Sequence, residues 1–116
     1  MIRIVYRRDE HSVRICGHAG SGEAGHDLVC AAVSILAYTL ASFTERMEKS
    51  GAATDLTVLL RSGEAVIACT PTEKMRAEIT RVMDALCEGF AILAENYGAN
   101  VTYERSGERV NWDLRV

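Results

Sequence analysis

Hydrophobic and polar positions change period along this chain, and the changes mark its elements. Residues 2–7 alternate Ile2, Ile4 and Tyr6 against Arg3, Val5 and Arg7, the two-residue period of a strand. Residues 8–11 are polar and predict a turn, with His11 as a solvated member of it. Residues 12–17 alternate again, with Val13 and Ile15 on one side and Arg14 and Cys16 on the other, which predicts a second strand. From Leu28 to Lys49 the pattern becomes helical. Its first half is apolar nearly all round, through Leu28, Val29, Val33, Ile35, Leu36, Tyr38, Leu40 and Phe43. Such a helix is buried on more than one side, so a sheet should hide one face and a second helix or a second subunit another. Glu45, Arg46, Glu48 and Lys49 return it to solvent, and Gly51 suits its C-terminal cap.

Residues 55–69 predict a hairpin: an apolar run, a turn at Arg61-Ser62-Gly63-Glu64, and a second run ending at Cys69. Thr70-Pro71-Thr72-Glu73 has the form of a helix start, with a capping threonine, proline first and glutamate third. The second helix is then expected to reach about Tyr97. Its stripe is Met75, Ile79, Val82, Met83, Leu86, Phe90, Leu93 and Tyr97, with Cys87 and the methionines as core filling. Residues 100–105 predict a further strand, and Ser106-Gly107 a turn. Val110, Trp112, Leu114 and Val116 alternate after it. The order ββαββα predicts an α+β fold, a mixed or antiparallel sheet packed by two helices, and allows an extra C-terminal β-hairpin. No linker, repeat or low-complexity segment divides residues 1–116, which read as a single domain.

Composition narrows the function classes. Thirteen Lys and Arg against sixteen Asp and Glu leave a formal charge of −3. That balance argues against direct binding of nucleic acid. Residues 2–8 are too charged and too short for the apolar core of a signal peptide. The apolar run near 28–43 is interrupted by Ser34, Thr39 and Ser42 and is marginal in length for a membrane span. A cytoplasmic setting without membrane contact is therefore expected, in which Cys16, Cys30, Cys69 and Cys87 stay reduced. No CxxC pair or His/Cys cluster has zinc spacing, so no metal is expected; Cys16 and His18 lack a third ligand.

The chemistry concentrates in residues 17–34, where a strand end passes through a glycine-rich loop into the first helix. His18 stands before that loop and Cys30 after it. A histidine and a cysteine joined by a flexible loop suggest a thiol nucleophile beside its base. Asp27 is a good N-cap, which would make Leu28 and Val29 the first helical positions and Cys30 the third. There the free amides and the helix dipole favour thiolate over thiol, and the amides could hold an oxyanion. Ser34 follows Cys30 by one turn on the same face. The spacing alone leaves a second reading open, in which Cys30 is an ordinary small core residue between Val29 and Ala31. The loop, with Gly20, Gly22 and Gly25, reads as either a connector or a substrate-binding lid.

This stretch resembles the signature of the ribosomal-processing cysteine proteases (Prp). Gly17-His18-Ala19-Gly20, then Gly25, Asp27 and Val29-Cys30-Ala31-Ala32-Val33-Ser34, match it in order and spacing. Ser21, Gly22 and Ala24 depart from it, standing where the family has bulkier or aromatic residues. His26 falls at a variable position, which ranks it below His18. The resemblance implies a cysteine endopeptidase with a Cys30–His18 dyad. Asp27 and Ser34 would support it, and Gly17, Ala19, Gly20 and Gly25 would form the substrate loop. It further implies a homodimer, no cofactor, and as substrate a short N-terminal extension of a large-subunit ribosomal protein, cut after an apolar, aromatic-rich sequence. A non-catalytic ribosome-associated binding module and a thiol redox sensor using Cys16 and Cys30 are the competing readings.

Overall fold

The computed structural model describes residues 1–18 and 24–107, and of residues 24–27 the backbone alone. The elements are β1 (Ile2–Arg7), a 3₁₀ turn (Arg8–Glu10), β2 (Ser12–Gly17), α1 (Ala24–Lys49), β3 (Ala53–Arg61), β4 (Glu64–Pro71), α2 (Arg76–Asn96) and β5 (Val101–Ser106). Among the described residues the strands form one five-stranded sheet in the order β3-β4-β2-β1-β5. Neighbouring strands joined by short turns pair antiparallel, as β1 with β2 and β3 with β4 do. β5 arrives after the α2 crossover and pairs parallel to β1, which makes the sheet mixed. The expected ββαββα order and the added strand at 100–105 therefore hold. The alternation expected at 110–116 lies outside the described residues.

Alternation becomes burial directly. Ile2, Ile4 and Tyr6 of β1, Val13 and Ile15 of β2, and Ala65, Ile67 and Cys69 of β4 are buried on one face of the sheet. That face meets Val29, Val33, Ala37, Leu40 and Ala41 of α1 and Ile79, Met83, Cys87 and Phe90 of α2 in one core. Each large aliphatic side chain so enclosed contributes roughly 1.5–3 kcal/mol. α1 also touches α2, which covers part of its second apolar side. Leu28, Ile35 and Tyr38 of α1 remain 61%, 60% and 58% exposed in the single chain. By length and a mean hydropathy of 1.6, Leu28–Lys49 would suffice to cross a membrane, more than its interrupted run suggests. Here its buried positions pack against the sheet and α2.

Two local expectations give way to pairing. Thr70 and Pro71 do not start a helix, because β4 continues through them and pairs them with Thr54 and Ala53. Thr72 N then donates to Ala52 O at 2.9 Å, and α2 begins only at Arg76, with no side-chain cap on Met75. Extending the ladder satisfies several backbone groups at once, where a cap satisfies one or two. His11 is the second case. It is 6% exposed rather than solvated, and its φ of 50° lies in the left-handed region. Its Nε2 lies 2.6 Å from Thr80 Oγ1, and that hydroxyl donates its proton to Arg76 O at 2.7 Å. Nε2 must therefore be the donor of the pair.

Burial, then the cations of Arg76 and Arg8, hold the His11 pKa below the ordinary 6.5. The folded protein thus resists a proton that the unfolded chain accepts. Stability should be full above pH 6.5 and decline as the pH falls below it, until the folded-state value is passed. Chemical denaturation at stepped pH should show this slope, and it should shrink in His11→Asn, since asparagine tolerates the backbone angle. A slope unchanged by that substitution would assign the effect elsewhere.

Beside His11, Asp84 of α2 accepts from Tyr6 OH at 2.7 Å and from Arg8 through two nitrogens at about 3.0 Å. The ion pair is partly exposed and contributes about 0–1 kcal/mol. The Tyr6 hydroxyl matters more, since leaving it buried and unpaired would cost about 1–3 kcal/mol. Burial, then the bond to Asp84, raises the Tyr6 pKa.

Candidate active site

β2 stops at Gly17, whose φ of 104° is available to glycine and strained for other residues. A side chain there would also run into Met1 O. This turn takes His18 out of the strand alternation. Cys16 pairs with Arg3 and Glu64 and alternates with the buried Ile15, so it points to the sheet face away from the helices. His18 does not share that face, as a continued strand would require. It joins Ile15 in lining a cleft on the helix side, and Met1 N donates to its carbonyl at 2.7 Å.

The cleft has a volume of about 330 Å³. One wall is α1, where Cys30, Ser34 and Tyr38 follow at steps of four residues and all are exposed. The facing wall is His18 with the β3–β4 turn, from Leu60 to Glu64. Thiol, hydroxyl and phenol thus form one stripe in a cleft that an imidazole also lines. The structure brings together Cys30, His18, Ser34 and Gly17 of the expected site.

The helix start differs from expectation. α1 begins at Ala24, which makes Gly25 its second residue and not a loop residue. Asp27 is the fourth helical residue and not the N-cap, and Cys30 is the seventh and not the third. The unpaired amides of a helix belong to its first turn, here residues 24–27, one turn before the thiol. The dipole's influence falls off within that turn. The side chains of His26 and Asp27, and Ala19, Gly20 and Gly22, lie outside the described residues.

The other thiols are differently placed. Cys69 and Cys87 are buried, as expected for core residues. Burial pushes the Cys69 thiol up and, with Asp84 nearby, pushes Cys87 up to about 12. Cys16 and Cys30 sit on opposite sides of the sheet, so the structure does not bring the redox pair together. Among the described residues no three His, Cys, Asp or Glu side chains gather as a metal site.

The second wall of the cleft has no signature in linear order. Residues 61–64 read correctly as a turn, but no local signal places that turn against His18. The link is tertiary, a hydrogen bond of 2.9 Å from Gly17 N to Gly63 O. Tyr38 carried a usable signal, since it lies eight residues after Cys30 on the same helical face.

Residues 1–102 match the family model described as cysteine protease Prp. Among solved structures, SMU.848 from Streptococcus mutans is 30% identical with a TM-score of 0.62, and the match covers 90% of each chain. The ribosomal processing protease Prp from S. aureus with a covalently linked product peptide is 19% identical, with a TM-score of 0.63. The same protease with a substrate peptide is 17% identical, with a TM-score of 0.64. Each of these two matches covers 90% of this chain and 97% of the other, and shares the fold. Among curated proteins none matches.

Proposed function

The chain belongs to the cysteine protease Prp family and is a cysteine peptidase, and we propose that it is a ribosome-maturation endopeptidase working through Cys30 and His18. The observation that carries this is the meeting of an exposed thiol on α1 and an exposed imidazole after β2 in one cleft. His18 takes the Cys30 proton, and the sulfur attacks the scissile carbonyl. The protonated His18 then delivers that proton to the leaving amine, and a thioester remains. Water, deprotonated by His18, hydrolyses the thioester and restores the thiol. No cofactor enters this sequence. Ser34 supports the thiol from one turn along the helix.

The substrate in this reading is the N-terminal extension of a large-subunit ribosomal protein. The solved S. aureus relative is a ribosomal processing protease seen with a substrate peptide. Here Val33, Tyr38 and Leu60 give the cleft an apolar side suited to apolar or aromatic residues of such a peptide. The exposed Leu28, Ile35 and Tyr38 support a homodimer through α1. A reducing cytoplasm suits a working free thiol, and direct contact with nucleic acid is not part of the reading.

The test is incubation with an extension peptide of this kind, followed by mass spectrometry. Cleavage is expected, with loss of activity after a single iodoacetamide adduct on Cys30. Peptide bound but uncut would indicate a binding module instead, and reversible Cys16–Cys30 linkage under peroxide a redox sensor.

A further inference from the structure

The β3–β4 turn does more than close the cleft. Its two-residue tip is Ser62-Gly63, between the paired Arg61 and Glu64. Gly63 has a φ of 79°, as turns with a left-handed second residue require. It also lies directly against His18. A Cβ on Gly63 would stand 2.7 Å from His18 Nε2, closer than such atoms pack, and 3.0 Å from Cε1. The turn is the firmer partner of this contact. Gly63 O accepts from Gly17 N at 2.9 Å, and Glu64 pairs with both Arg61 and Cys16. The imidazole is the free end of an exposed side chain, so in any collision it is the ring that moves.

We propose that Gly63 is a positioning residue for His18, its bare Cα being the surface that seats the imidazole in the cleft. The proposal rests on the reading of His18 as the base. The bond from Gly17 ties the turn to the residue before His18, so ring and backstop move together. A β-carbon at position 63 would push Nε2 aside, since its three nearest neighbours are all atoms of the His18 ring. Proton transfer depends on such placement, and a shift of about 1 Å can cost about a hundredfold in rate.

Gly63→Ala tests this, with Gly51→Ala as its control. Gly51 has a nearly equal φ of 81°, yet a Cβ there meets nothing within 4 Å. The two variants share the backbone strain and differ in the contact. Gly63→Ala should lower kcat by about ten- to a hundredfold with little change in KM. It should also shift the His18 ring signals in NMR while those of His11 stay put. Gly51→Ala should keep wild-type kcat at a comparable loss of thermal stability. In the His18→Ala background, adding Gly63→Ala should cost nothing further, because the residue acts through the ring. Should Gly63→Ala not fold, Gly63→Asn brings the same Cβ with a residue that tolerates positive φ. Unchanged kcat and ring signals in a folded Gly63 variant would overturn the inference, provided His18→Ala is crippled. Wild-type cleavage by His18→Ala would instead remove the base assignment on which it rests.

Discussion

Cys30→Ala should abolish peptide cleavage and leave the protein folded. The chemistry allows no substitute, because the sulfur forms the bond to the substrate carbonyl and an alanine offers no nucleophile. Cys69 and Cys87 are buried, and burial raises the pKa of both thiols. Cys16 faces away from the cleft. The structural cost should be small. Cys30 is exposed on α1, and alanine is the better helix former. A surface change of this kind usually stays within about 0.5 kcal/mol. The measurement is a peptide time course beside thermal melts of wild type and variant. An unchanged melt with no product is the expected pair. Cleavage by the alanine variant at a near wild-type rate would remove Cys30 as nucleophile. Loss of cleavage in a folded Cys16→Ala protein would point to the redox reading.

His18→Ala should have the second largest effect, a fall of roughly two to four powers of ten in kcat, the usual worth of a general base. The three histidines should separate cleanly. His11 is buried against Thr80 at the β1–β2 turn, so His11→Ala should cost stability and spare the chemistry. His26 is the third residue of α1, and His26→Ala should leave cleavage near wild type. A crippled His26→Ala beside an active His18→Ala would reverse the choice of histidine.

Much of the fold was legible in linear order. The alternations at 2–7 and 12–17 became strands with their apolar positions buried, because a strand's period of two admits one inward face. The hairpin around Ser62-Gly63 formed where its turn residues stand, since its register is settled locally. The apolar stripe of α2 likewise turned inward through Ile79, Met83, Cys87 and Phe90. The candidate site was legible in part. The spacing of Gly17, His18 and Cys30 marked one connected stretch, and Ser34 followed from helical periodicity alone.

Helix boundaries were not so legible, because a local cap competes with whatever else its backbone groups can reach. Thr70 and Pro71 offered a good cap, but β3 lay alongside and took them into the ladder. Asp27 offered another, yet α1 starts three residues before it. His11 looked like a solvated turn residue until α2 packed over it and Thr80 took its Nε2. The second wall of the cleft was beyond any local pattern. Gly63 lies forty-five residues after His18 in the chain, and only the pairing of β2 with β4 sets the two in contact. Period and turn chemistry act over a few residues, so they write strands, helices and a nucleophile's neighbourhood into linear order. Which surfaces then meet depends on the burial of the whole core, and that meeting is what set an imidazole against a bare glycine.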